Sequence, residues 1–165
     1  MLRKLVLTLV TAIVAGSVHA ESYTQYSYVS PWTVVKRANG FCSAIAKSPS
    51  QGDVFVLSLA PSGVILSMGN PQFQIPAGEY PIELSLNGST VTDRTNMNAT
   101  VKAGEGNWIT VKLEVHQIQN LPKAALVTID LAGKNHLLFL SDTAAMFRDL
   151  ELCSKYQSDP LKSAR

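Results

Sequence analysis

Residues 54–68 read VFVLSLAPSGVILSM, and this stretch decides the fold. Two short apolar runs, Val54 to Leu59 and Val64 to Met68, flank Pro61-Ser62-Gly63. Each run is too short for a buried helix and is rich in branched and aromatic side chains. Bounded by turn residues, the pair reads as a β-hairpin. Both arms are apolar on both faces, which predicts central, well-covered strands.

The same grammar extends to either side. Upstream, Trp32 to Arg37 and Phe41 to Lys47 surround Asn39-Gly40, a two-residue hairpin signal. Residues 48–52, SPSQG, form a loop. Downstream, residues 71–81 are irregular, with three prolines and Gly78. Ile82, Leu84 and Leu86 then alternate with Glu83 and Ser85 as a half-buried strand, and Asn87-Gly88 turns it. Residues 90–98 are polar and read as a loop or a weak edge strand. After Gly104-Glu105-Gly106, Ile109, Val111, Leu113 and Val115 point one way; Thr110, Lys112, Glu114 and His116 point the other. Leu126 to Leu131 and His136 to Leu140 form a last hairpin around Gly133.

The period changes near the end. Ser141-Asp142 precedes TAAMFRDLELCSKY, where Met146, Leu150 and Cys153 fall at i, i+4 and i+7 with Phe147 beside them. That is one apolar helical stripe, and Asp142 is placed to cap it. The expected fold is mainly β: an antiparallel sandwich or barrel of about seven to nine short strands with one C-terminal helix.

The first twenty residues have the grammar of a cleaved signal peptide. Arg3 and Lys4 precede the apolar run Leu5 to Ala15, and Val18-His19-Ala20 offers small-residue spacing for cleavage. The run is shorter than the roughly 20 residues that span a bilayer. The chain therefore divides into a signal at 1–20, a flexible N-terminal lead-in at 21–31, a single β-rich domain at 32–156 and a disordered tail at 157–165. The lead-in, with Tyr23, Tyr26 and Tyr28, also reads as a first edge strand. The expected location is the bacterial periplasm, or otherwise a secreted protein. In a eukaryote, Asn87-Gly88-Ser89 and Asn98-Ala99-Thr100 are glycosylation sequons.

Without Arg3 and Lys4 the 14 basic residues become 12, equal to the 12 acidic ones. A neutral surface argues against sequence-independent nucleic-acid binding. The two cysteines, Cys42 and Cys153, predict a disulfide in an exported protein. It would staple the C-terminal helix to an early hairpin. Neither lies in a C-x-x-C pair, so redox chemistry is disfavoured.

No motif for chemistry emerges. There is no G-x-S-x-G and no glycine-rich phosphate loop. His116 is read as a solvated partner of Glu114, and His136 as a loop-edge residue. Glu114 and His116, two apart on a strand, share a face with no third metal ligand in sight. Asp130-Leu131-Ala132-Gly133 reads as a strand end running into a turn. Among aromatics, Trp32 belongs to the core, whereas alternation turns Trp108 away from the apolar face as the candidate ligand contact. The expectation is an exported, non-catalytic periplasmic binding or protein-interaction domain without a cofactor. Its partner would be an envelope or secreted protein. The alternative is a small secreted hydrolase or lyase whose site is assembled from distant residues.

The order of features resembles bacterial periplasmic β-sandwich proteins of the invasion-associated locus B type. The matching features are the signal, Pro31-Trp32-Thr33-Val34-Val35, Cys42, the runs VFVLSL and GVILSM, Pro76-Ala77-Gly78, and the amphipathic strand near 109–115. The chain lacks that family's extra mid-chain cysteines, and its second cysteine lies on the final helix. The resemblance implies an envelope-associated, non-enzymatic role and supplies no site residues.

Overall fold

The structure is a computed structural model and describes residues 23–37, 40–48, 52–60, 62–102 and 107–155. The signal segment, residues 104–106 and the tail lie outside these residues.

The deciding hairpin is present as β4 (Val54–Ala60) and β5 (Gly63–Gly69), paired from Val54↔Gly69 to Ala60↔Gly63. Gly63 has φ +124, a conformation that favours glycine. Upstream, β2 (Trp32–Arg37) and β3 (Cys42–Lys47) form the next hairpin, turned at Gly40 with φ 88. Before them, β1 (Tyr23–Val29) pairs with β2 through a bulge between Gln25 and Ser27. The domain therefore takes in Tyr23–Val29, the segment read as a flexible lead-in or an edge strand. Its alternating Tyr, Thr and Val side chains suit a pleated ribbon better than a free arm.

Downstream come β6 (Gly78–Asn87), β7 (Thr92–Val101) and β8 (Trp108–Lys112), then β9 (Leu126–Leu131) and β10 (Lys134–Phe139). These ten antiparallel strands make one sheet in the order β1-β2-β3-β4-β5-β8-β7-β6-β9-β10. Of the polar 90–98 segment, read as a loop or a weak edge strand, residues 92–98 lie in β7, a ten-residue strand inside the sheet order and paired with β6 along its whole length. On its other side β7 meets β8 in register only at Thr100↔Thr110, so the sheet has a seam there.

The β8 strand stops at Lys112, four residues before the His116 to which the alternation runs. Glu114 begins a short helix, α1 (Val115–Asn120), with Gln117 Oε1 accepting the Glu114 N–H at 2.8 Å. Val115 consequently points outward and is 71% exposed, against the inward position alternation gave it. A 3-10 turn, Leu121–Lys123, leads into β9.

The sheet is not closed, but it curls enough for its last strand to meet its early ones. Asp53, next to β4, hydrogen-bonds His136 in β10, and Ser141 Oγ donates to the Ser30 carbonyl at 2.7 Å. The inner face carries a single core including Trp32, Phe55, Leu57, Met68, Leu84 and Ile129. The final helix, α2 (Thr143–Lys155), packs against β1 to β4 and the 3-10 turn. Its buried stripe is Thr143, Met146, Leu150 and Cys153. Cys153 bonds Cys42 with a Cα–Cα distance of 6.1 Å, as the periodicity predicts. No helix among the described residues is long and apolar enough to cross a membrane.

Candidate functional site

Strand alternation gives the sheet a second, outer face. On β2, β3 and β4 the side chains opposite the core are Thr33 and Val35, Ile45 and Lys47, and Val54 and Val56. Val35 and Val56 are 1% and 6% exposed, yet neither belongs to the core cluster. Nonpolar surface is therefore sequestered on the outer face too. Cross-strand hydroxyl pairs continue this face, with Ser43 to Ser58 at 2.8 Å and Ser67 to Thr110 at 3.1 Å.

Trp108 frames one end. It sits opposite Gly69 in the β5–β8 ladder and is half-buried. A Cβ added at Gly69 would lie 2.7 Å from each of the ring atoms Cδ2, Cε2 and Cε3. The indole therefore lies flat on the glycine backbone, an arrangement only glycine permits. Its outward placement agrees with the alternation of β8.

Tyr23, on β1, faces the same surface and is 65% exposed. Between Tyr23 and Trp108 lies a cavity of about 250 Å³, bordered also by Val35, Arg37, Ile45, Val54 and Val56. A second cavity of about 530 Å³ shares Tyr23, Val35 and Ile45 and continues past Tyr28, Thr33 and Lys47. Together they form one groove across β1 to β4, ending at the Trp108 platform. It offers an aliphatic floor, aromatic walls and two cationic side chains, a combination suited to holding a ligand.

The histidines are placed differently from expectation. His136 is no loop-edge residue. It is the third residue of β10, faces inward and is 7% exposed. Its Nδ1 lies 2.9 Å from Asp53 Oδ2, while Asn70 Nδ2 donates to Asp53 Oδ1 at 2.6 Å. Phe73 meets the imidazole edge-on at 5.1 Å. Asp53 is fully buried and Asn70 is 6% exposed. An Asp–His contact of this kind orients an imidazole and is half of a nucleophilic triad. Here Nε2 is buried and finds no hydrogen-bond partner among the described residues. The arrangement fastens the loops before β4 and after β5 to β10.

His116 lies on α1 rather than on a strand, 46% exposed at its side chain. It sits 3.4 Å from Glu114 and 3.6 Å from Asp93, so Asp93 joins the predicted Glu114 partner. Asp93 also accepts from Thr95 at 3.0 Å and Asn120 at 2.9 Å, tying α1 to β7. Among the described residues no group of three or more His, Cys, Asp or Glu is placed to hold a metal. Asp130 Oδ1 accepts the Gly133 N–H at 2.9 Å, the role of a turn residue. Trp32 is in the core at 1% exposure.

Sequence reasoning found Trp108 but not Tyr23, Arg37, Lys47 and the valines around it. Their one visible signal was apolar residues on both faces of β4. The fold and groove define the class: an open, curled antiparallel β domain with an aromatic-walled outer face, stapled to a C-terminal helix. No family model matches the chain, and neither curated proteins nor solved structures give a match.

Proposed function

We propose that this is an exported, non-catalytic binding domain of the periplasm that holds an extended ligand on its outer sheet face. The observation that carries the reading is the groove between Tyr23 and Trp108. There an indole is held flat on Gly69 and nonpolar floor residues lie outside the core. The outer face already shelters Val35 and Val56, and the exposed Tyr23 and half-buried Trp108 rings beside them leave stacking surface for a ligand. Export rests on the N-terminal twenty residues and on the disulfide. The resemblance to invasion-associated locus B proteins agrees with an envelope role.

The test is affinity electrophoresis of the full chain and of a Tyr23→Ala, Trp108→Ala double variant through a panel of envelope polysaccharides and peptides. The reading expects retardation of the wild type by at least one of them, lost in a variant that keeps its unfolding temperature. Equal mobility of both proteins in every gel contradicts it.

One observation favours a hydrolase instead, the Asp53–His136 contact. That reading requires the Nε2 to reach a substrate. It predicts hydrolysis abolished by His136→Gln, and a binding domain retains its ligand in that variant.

A further inference from the structure

The charges on the sheet are segregated. Strands β1 to β5 and β8 hold Lys36, Arg37, Lys47 and Lys112 and no Asp or Glu at all. Strands β6, β7, β9 and β10 hold Glu79, Glu83, Asp93 and Asp130 against Arg94 and Lys134. The carboxylates borne by strands are thus confined to the other part of the sheet. Among the described residues the groove itself is bordered by Arg37 and Lys47 and by no carboxylate. Arg37 makes contacts within the chain, but a guanidinium has five N–H donors and serves more than one acceptor.

We infer that the ligand of this groove is a carboxylated oligosaccharide. The inference rests on the outer-face reading above and names its ligand class. Two features select this chemistry. First, the flat Trp108 face carries negative quadrupole density, which attracts the polarised C–H groups on one side of a sugar ring. Second, Arg37 and Lys47 supply charge-assisted donors for carboxylates, bidentate in the case of arginine. Thr33, Gln25 and Ser30 border the same groove and supply donors and acceptors for ring hydroxyls. The lack of Asp and Glu on these strands also avoids the like-charge penalty that a polyanion would meet on the other half of the sheet.

The experiment uses the full chain and a matched pair of probes, an α-1,4-linked galacturonic acid tetramer and its methyl ester. These share rings and hydroxyls and differ in charge. Tryptophan fluorescence reports the site, because Trp32 is 1% exposed and Trp108 is half-buried at the groove. The acid tetramer is expected to shift the emission and to bind at least about tenfold tighter than the ester, the effect of one charge-assisted contact. The preference is expected to shrink as salt rises and to fall severalfold in Lys47→Gln, an exposed strand-end residue whose loss leaves the fold intact. Equal affinity for the two probes overturns the inference and leaves the groove reading standing. Failure of both to move Trp108 emission overturns the inference as well, and the groove reading then stands or falls with the electrophoresis panel.

Discussion

Replacing Asp53 with Ala exposes how the loops around the curled sheet are held. Asp53 is fully buried, and its two oxygens take His136 Nδ1 at 2.9 Å and Asn70 Nδ2 at 2.6 Å. Removing the side chain strands both partners where water does not reach. Each stranded buried polar group costs about 1–3 kcal/mol. Two such groups make a loss of roughly 4 kcal/mol, equivalent to about 10–15 °C in a domain of this size. Urea unfolding followed by tryptophan emission measures the change, with the slope checked for constancy. His136→Ala alone and the double variant complete a cycle, for which a coupling of at least about 1 kcal/mol is expected. A cost below about 1 kcal/mol for Asp53→Ala, or strict additivity with His136→Ala, would refute the view that this cluster fastens the fold.

Replacing Cys42 and Cys153 together by Ala opens a link between residues 111 apart and is expected to cost about 4–5 kcal/mol in the chain-entropy model, read as a drop in urea midpoint. In Gly88→Ala the new Cβ meets the Lys123 carbonyl oxygen, a backbone atom that does not yield easily, so stability should fall by about 1–3 kcal/mol on thermal melting. His116→Ala removes only a half-exposed ion-pair member, and calorimetry should find a change below about 1 kcal/mol.

These perturbations also mark where sequence reasoning reached. The runs VFVLSL and GVILSM were legible as β4 and β5 because local apolarity and the Pro61-Ser62-Gly63 turn act together over a few residues. The helical stripe of Met146, Leu150 and Cys153 was legible for the same reason, and it carried the disulfide with it. β7 was obscured because half its side chains face outward and are polar, and its pairing with β6 supplies the order. Val115 continued a period-two pattern that the Glu114–Gln117 cap interrupts, a competition between strand and helix that alternation alone cannot decide. The Asp53–His136 contact joins residues 83 apart and left no local trace. The groove is assembled from five strands, β1 to β4 and β8. Only Trp108, whose neighbour Ile109 fixed the phase of the alternation, was legible as part of it.

The central claim is that ligand meets the outer face and not the buried histidine. The most direct measurement is an amide chemical-shift map of the full chain at saturation with the galacturonate tetramer. The account predicts shifts concentrated on Tyr23, Val35, Arg37, Ile45, Val56 and Trp108, with Asp53, Phe73 and His136 unmoved. Shifts centred on Asp53, Phe73 and His136, or none at the outer face, would contradict it.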